Sequence, residues 1–178
     1  GIYHPPAALL WPAELVRDLG GWDETLTQNQ DGYLAMRALA AGAGLVHGDG
    51  APVLYRQHGP RSRSISAAAD RTSPESRVRV LEKVAAELAA RGRLETYRIG
   101  IARSYHDIGR LYLYAEPEVA RECLRRGHEL AGDDAVWGPW THRLLVRSFG
   151  LEGKERIAAA LARVGIARSW RRRHARTT

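Results

Sequence analysis

Between Leu9 and Ser66 the sequence gathers side chains able to bind polar ligands and to move protons. In order they are Gly20-Gly21-Trp22-Asp23-Glu24-Thr25-Leu26, Gln30-Asp31-Gly32-Tyr33-Leu34-Ala35-Met36-Arg37, Tyr55-Arg56-Gln57-His58 and Ser64-Ile65-Ser66. Asp31 opens a predicted helix, where free backbone amides and the helix dipole favour the ionised carboxylate. An ionised carboxylate is the form that takes a proton. Each piece also has an ordinary structural reading. Gly-Gly-aromatic-Asp-Glu is a helix exit followed by a turn whose carboxylate satisfies backbone amides. Asp31 with Arg37 six residues on is an N-cap plus a surface ion pair. Trp22 is a core ring, His58 a histidine that binds nothing, and Arg61 and Arg63 belong to a solvated loop.

Short elements carry these residues. Pro12 followed by Ala13–Leu19 predicts a short helix with Pro near its first turn, stopped by Gly20 and Gly21. Asp31–Ala41 reads as a second helix with Leu34, Ala35, Ala38 and Leu39 on one side, ended by Gly42 and Gly44. Leu45–His47 and Val53–Gln57 read as short strands about the turn Gly48-Asp49-Gly50. Residues 59–66 form a polar, basic loop. After Ser73-Pro74-Glu75 the texture is all helix, with helices expected near 75–91, 95–114, 117–131, 136–149 and 152–167. Within it, Ala102, Tyr105, Gly109 and Tyr112, then Ala120, Leu124 and Leu130, give a helix-turn-helix rhythm. It is similar to one degenerate tetratricopeptide unit, and equally to a plain antiparallel helix pair.

The four ordered motifs together resemble the second half of a GT-A-type, family-2-like glycosyltransferase domain. Such domains carry a GGFDE turn, an ED or QD pair opening a helix with a following Arg, and a closing YRxH segment with a small Ser-rich stretch. Here Trp22 takes the aromatic place, Gln30-Asp31 the acidic pair with Gln where Glu is usual, Arg37 the helix Arg, and Tyr55, Arg56 and His58 the closing segment. The resemblance covers roughly residues 7–66.

The resemblance implies the fold class. Residues 1–72 would be the incomplete C-terminal, acceptor-side portion of an α/β, GT-A Rossmann-like domain. Residues 73–167 would be an all-α extension and 168–178 a basic tail, the whole being mostly helical. It implies that Asp31 is the general base taking the proton of an acceptor hydroxyl, a role worth about 10²–10⁴-fold in rate, in an inverting transfer from a nucleotide-sugar. Trp22, Asp23 and Gln30 would line the acceptor site. Arg61 and Arg63 would contact the diphosphate, and His58 would sit where some GT-A enzymes place a metal ligand. Mg²⁺ or Mn²⁺ would serve the complete enzyme, because metal and diphosphate are placed together.

The sequence has no Asp-x-Asp for such a metal and no GxGxxG, P-loop, HExxH or Gly-x-Ser-x-Gly. It begins at Gly1 and its one Met is Met36, which predicts a processed chain or a piece of a longer one. The expectation is that the nucleotide-binding half lies elsewhere and that these residues alone transfer no sugar and bind no metal. The single Cys123 allows no intrachain disulfide. No apolar run approaches the ~18 residues of a membrane span, so a cytoplasmic protein is expected.

The net charge is +7, and it is unevenly placed. Residues 1–72 carry 6 Arg against 7 Asp or Glu, and residues 73–178 carry 21 Lys or Arg against 13 Asp or Glu. From Arg163 to Thr178 there are six Arg, no acid and Trp170. That pattern resembles an interfacial anchor and equally a frayed, solvated end. Two readings compete with a transferase: a helical protein-protein interaction module with a remnant transferase segment, and a surface peripheral to a membrane. Nucleic acid is not an expected partner.

Overall fold

The computed structural model describes residues 8–27, 29–48 and 74–163. Among them every regular element is a helix. In chain order they are α1 (Ala13–Asp18), α2 (Gln30–Ala40), α3 (Pro74–Ala90), α4 (Leu94–Tyr112), α5 (Pro117–Ala131), a 3-10 turn (Gly132–Ala135) and α6 (Trp140–Arg163). The strand expected at Leu45–His47 is not one. That segment is irregular, with Leu45 and Val46 exposed. A strand exists only where a neighbour completes its ladder, and none of the described residues does so. Val53–Gln57 lies outside the described residues. The described residues are mostly helical, in keeping with the all-helix texture expected after Ser73, and the α/β character expected of residues 1–72 is not seen in the described part of that region.

The chain divides into two compact units, Gly1–Ile101 and Ala102–Thr178, and the division falls within α4. The change of sequence texture at 72–73 comes earlier, because α3 packs with the first unit. There Leu19, Leu34 and Ala38 form a small core, with Trp11, Leu15 and Ala43 against it. On α3, Val80, Leu81, Val84 and Leu88 recur at helical spacing and are buried. α2 and α3 are in contact. The Arg93 guanidinium donates to the Ala40 carbonyl at 2.9 Å and the Leu39 carbonyl at 3.3 Å. It thereby serves the carbonyls that a helix end leaves unsatisfied.

In the second unit α4 and α5 form an antiparallel pair. A Cβ on Gly127 would lie 2.9 Å from the Ala102 carbonyl oxygen, and one on Gly109 would lie 2.7 Å from the Leu124 side chain and 3.0 Å from the Ala120 carbonyl oxygen. The two glycines therefore let the backbones approach closely. Ala102, Tyr105, Tyr112, Ala120 and Cys123 are buried around them. One helical hairpin is what the rhythm at 98–134 produces; a repeat array needs several stacked units. α6 is interrupted at Gly150, whose φ of 69° and ψ of 171° are not helical. The break expected between the helices at 136–149 and 152–167 is thus present, as a kink at which two helical stretches meet.

His106 on α4 and His142 on α6 are both 3% exposed, and their rings meet edge to face, with centroids 5.8 Å apart. None of the four ring nitrogens has a hydrogen-bond partner among the described residues. Burial lowers the pKa of His106, with Asp107 opposing and Arg110 assisting. His142 is pushed down to about 4, first by burial, then by Arg110, Lys154 and His106, with Glu155 opposing.

Candidate functional site

The turn after α1 is built on two left-handed glycines, Gly20 (φ 77°) and Gly21 (φ 73°), a conformation that a Cβ disfavours. Their amides return to the carbonyls of Arg17 and Val16, each at 2.9 Å, which closes the helix. The chain then runs through Trp22–Leu26 and is held against α2 and α3 by polar and charged side chains.

Asp23 holds the turn from inside. Its Oδ1 accepts from the Thr25 amide at 3.0 Å and the Thr25 hydroxyl at 2.6 Å. Its Oδ2 accepts from the Lys83 ammonium of α3 at 2.5 Å. The hydrogen bond from Lys83, then that from the Thr25 hydroxyl, hold the carboxyl down to about 2. With both oxygens engaged, Asp23 acts in the geometry as a turn residue.

Arg37 holds the turn from α2. Its guanidinium donates to the Gly21 carbonyl at 3.1 Å and to that of Leu19. It lies over the Tyr33 ring at 5.3 Å and faces Glu87 of α3 at 3.7 Å. Arg37 is thus a structural ion-pair residue, but its partner is Glu87 of α3 and not Asp31 of its own helix. Gln30 donates from Nε2 to the Leu26 carbonyl at 2.6 Å. A glutamate has no donor to offer there, which gives a physical reason for Gln in this chain.

Trp22 and Asp31 remain. The indole Nε1 donates to Asp31 Oδ1 at 2.7 Å. Asp31 is exposed and Trp22 is 47% exposed, so the ring is not a core ring among the described residues. Nor is Asp31 the N-cap. Asn29, with φ 58° and no side-chain cap bond, precedes Gln30 as the first helical residue, and Asp31 stands in the first turn. Among the described residues Oδ2 of Asp31 has no hydrogen-bond partner. The arrangement presents one fixed carboxylate, with an oxygen to spare, beside an apolar ring. A hydroxyl can donate to such an oxygen, and a face of C–H groups can lie on such a ring.

His58, Arg61 and Arg63, with the rest of the closing motif, lie outside the described residues. No group of three or more His, Cys, Asp or Glu able to hold a metal occurs among the described residues. Sequence reasoning missed Lys83, Glu87 and Arg93, which hold the turn and α2 from fifty or more residues away. One signal pointed to the first two. Lys83 is one of only two lysines beside 25 arginines, and Lys83 and Glu87 share a helix face at i, i+4. Comparison of the chain with family models, with characterised proteins and with solved structures finds no match.

Proposed function

We propose that Trp22 and Asp31 form the acceptor end of a sugar-transferring site, and that this chain is the acceptor-side part of a GT-A-type, family-2-like glycosyltransferase. The observation that carries the reading is the 2.7 Å bond between the Trp22 indole and Asp31. It joins two of the ordered motifs at an exposed surface and leaves one carboxylate oxygen for a substrate. In this reading Asp31 takes the proton of the acceptor hydroxyl as it attacks the anomeric carbon, and the nucleoside diphosphate leaves with the electrons of the broken C–O bond. Trp22 fixes the carboxylate and offers its ring to the acceptor sugar. Asp23, Arg37, Gln30 and Lys83 keep the turn in place. Donor, diphosphate and divalent cation belong to a nucleotide-binding half whose motifs this sequence lacks.

The test is release of nucleoside diphosphate by the full-length protein from a panel of UDP-, GDP- and dTDP-sugars with mixed saccharide acceptors. Asp31→Asn keeps an oxygen for the Trp22 indole and removes the basicity. Turnover should fall by at least about 10²-fold, with little change in thermal stability. A full-length Asp31→Asn protein that keeps most of its turnover removes the base assignment. Residues 1–178 alone should show no heat of binding with any of these nucleotide-sugars in the presence of Mg²⁺ or Mn²⁺.

A further inference from the structure

The first turns of α6 have two unlike faces. His142 is buried and Leu145 and Val146 are half-buried on the inward side. On the other side Trp140 is 69% and Leu144 54% exposed. Arg143 is exposed beside them, and so is Arg147, which leans on Asp133 at 3.2 Å. Positions 140, 143, 144 and 147 are spaced i, i+3, i+4 and i+7, so they share one helix face, about 10 Å long at 1.5 Å per residue. The face carries an indole, a leucine and two guanidinium groups, outside the core.

The charge of the sequence changes along the chain at this place. From Val136 to Thr178 there are ten Lys or Arg and two acids, Glu152 and Glu155, a net +8 that exceeds the +7 of the whole chain. The exposed aromatic and aliphatic pair thus stands within the one strongly basic stretch of the protein. No described helix is long and apolar enough to cross a membrane.

We infer that the outward face of α6 from Trp140 to Arg147 docks on an anionic lipid surface. Trp and Leu enter the boundary between headgroups and acyl chains, where an indole keeps its N–H in the polar layer. Arg143 and Arg147 lie along that layer and meet lipid phosphate, Arg147 exchanging Asp133 for it. A soluble polyanion satisfies the charges but leaves Trp140 and Leu144 in water. The inference does not rest on the transferase reading.

Co-sedimentation of the full chain with vesicles tests it. Binding is expected to vesicles of phosphatidylcholine mixed with phosphatidylglycerol and not to phosphatidylcholine alone, and it should weaken as salt is added. The double substitution Trp140→Ser and Leu144→Ser leaves the charge unaltered and is expected to weaken binding by about tenfold or more. Arg143→Gln with Arg147→Gln should weaken it as well. All four side chains are exposed, and circular dichroism checks that each variant remains helical. Trp140→Ser with Leu144→Ser should leave binding to a single-stranded oligonucleotide as it was. Failure of the chain to bind the mixed vesicles overturns the proposal. So does undiminished vesicle binding by the serine variant, whether or not removal of residues 164–178 abolishes it.

Discussion

The Gly20–Leu26 turn and the α4–α5 hairpin are comparably constrained stretches of chain, and they are constrained by opposite means. The turn has small apolar anchors, Leu19 and Leu26, and is otherwise held by charged and polar side chains reaching in from α2 and α3. The hairpin is held by close approach, with Gly109 and Gly127 set against the partner helix and buried tyrosines around them. Its polar exception is His106 of α4, buried against His142 of α6 with no hydrogen bond to either ring among the described residues. The contrast teaches that a buried polar group and an exposed polar clamp answer differently to the same disturbance. Acid is the sharpest such disturbance.

Protonation should separate the two regions by the largest margin. The folded protein binds a proton on His142 at about 4 against an ordinary 6.5. Between those values the unfolded chain takes up protons that the folded chain resists, so stability is present in full above about 6.5 and falls as pH drops toward 4. Arg110 and Lys154 face the same ring and deepen the effect, while Glu155 opposes it. Each tenfold change in proton affinity is worth about 1.4 kcal/mol, so the loss in the second unit should be on the order of 2–3 kcal/mol. Asp23 works over a lower window. Its contribution is present above its ordinary 3.8 and is lost only as pH falls through about 2. Amide exchange at pH 7 and near pH 4.5 should therefore show α4, α5 and α6 loosening while the Thr25 and Leu26 amides keep their protection. Replacing His142 with Phe should flatten the dependence in the second unit. Uniform loosening of both regions would break the comparison.

A substitution of one methyl group tests the close approach. Alanine in place of glycine inside a helix ordinarily stabilises, by about 1 kcal/mol. Gly100 of α4 has nothing within 4 Å of an added Cβ, so Gly100→Ala should raise the melting temperature. Gly127→Ala should lower it, because the new Cβ meets the Ala102 backbone oxygen at 2.9 Å and forcing helices apart costs roughly 1–3 kcal/mol. Opposite signs at the two glycines would establish packing as the hairpin's constraint, and two gains in stability would refute it.

Lys83→Met then tests the clamp. The change leaves the aliphatic stem on α3 and removes the ammonium. The Asp23 carboxyl should titrate higher than about 2, with the Thr25 hydrogen bonds still holding it down, and the Thr25 amide should exchange faster. High salt should have the same sense of effect, because the pair is partly exposed and therefore screened. The hairpin should not respond to either change. An Asp23 titration unmoved by Lys83→Met would mean that Thr25 alone sets it.

Much of this arrangement was legible in the sequence, and what was not has a physical reason. Periodic apolar positions and the Gly and Pro signals between them placed α3, α4 and α5 within two residues of their ends and the kink of α6 at Gly150, because those signals are local. Gly109 already stood in the helix-turn-helix rhythm. The partner of Asp23 was not legible, since nothing near residue 23 encodes Lys83. The pairing of His106 with His142 was equally hidden, being set by how α4 and α6 pack. Leu45–His47 read as a strand from residue type alone, yet strand formation is a property of two segments. Asp31 read as a cap because a short polar residue before an apolar run usually is one; the left-handed Asn29 takes that position instead.

The smallest expected effect bears on the candidate site itself, because the protein makes the same bond twice. Trp137 Nε1 donates to Asp107 Oδ1 at 3.0 Å in the second unit, as Trp22 does to Asp31 in the first. The former ties the link before α6 to α4 of the same unit. If both bonds are only struts, Trp22→Phe and Trp137→Phe should act alike, each costing about 0.5 kcal/mol, the low end for an intramolecular hydrogen bond, and neither altering turnover beyond that. In the proposed site the two differ. Phenylalanine at 22 keeps an aromatic face for the acceptor but frees Asp31 from the donor that fixes its orientation. Turnover of the full-length protein should then fall for Trp22→Phe, because a misplaced base loses rate, and stay unchanged for Trp137→Phe. Trp22→Ala should in addition raise the KM for the acceptor, because the ring itself is gone. Equal, undiminished turnover for the two phenylalanine variants would make the Trp22–Asp31 bond a second strut and leave Asp31 without the partner that defines the site.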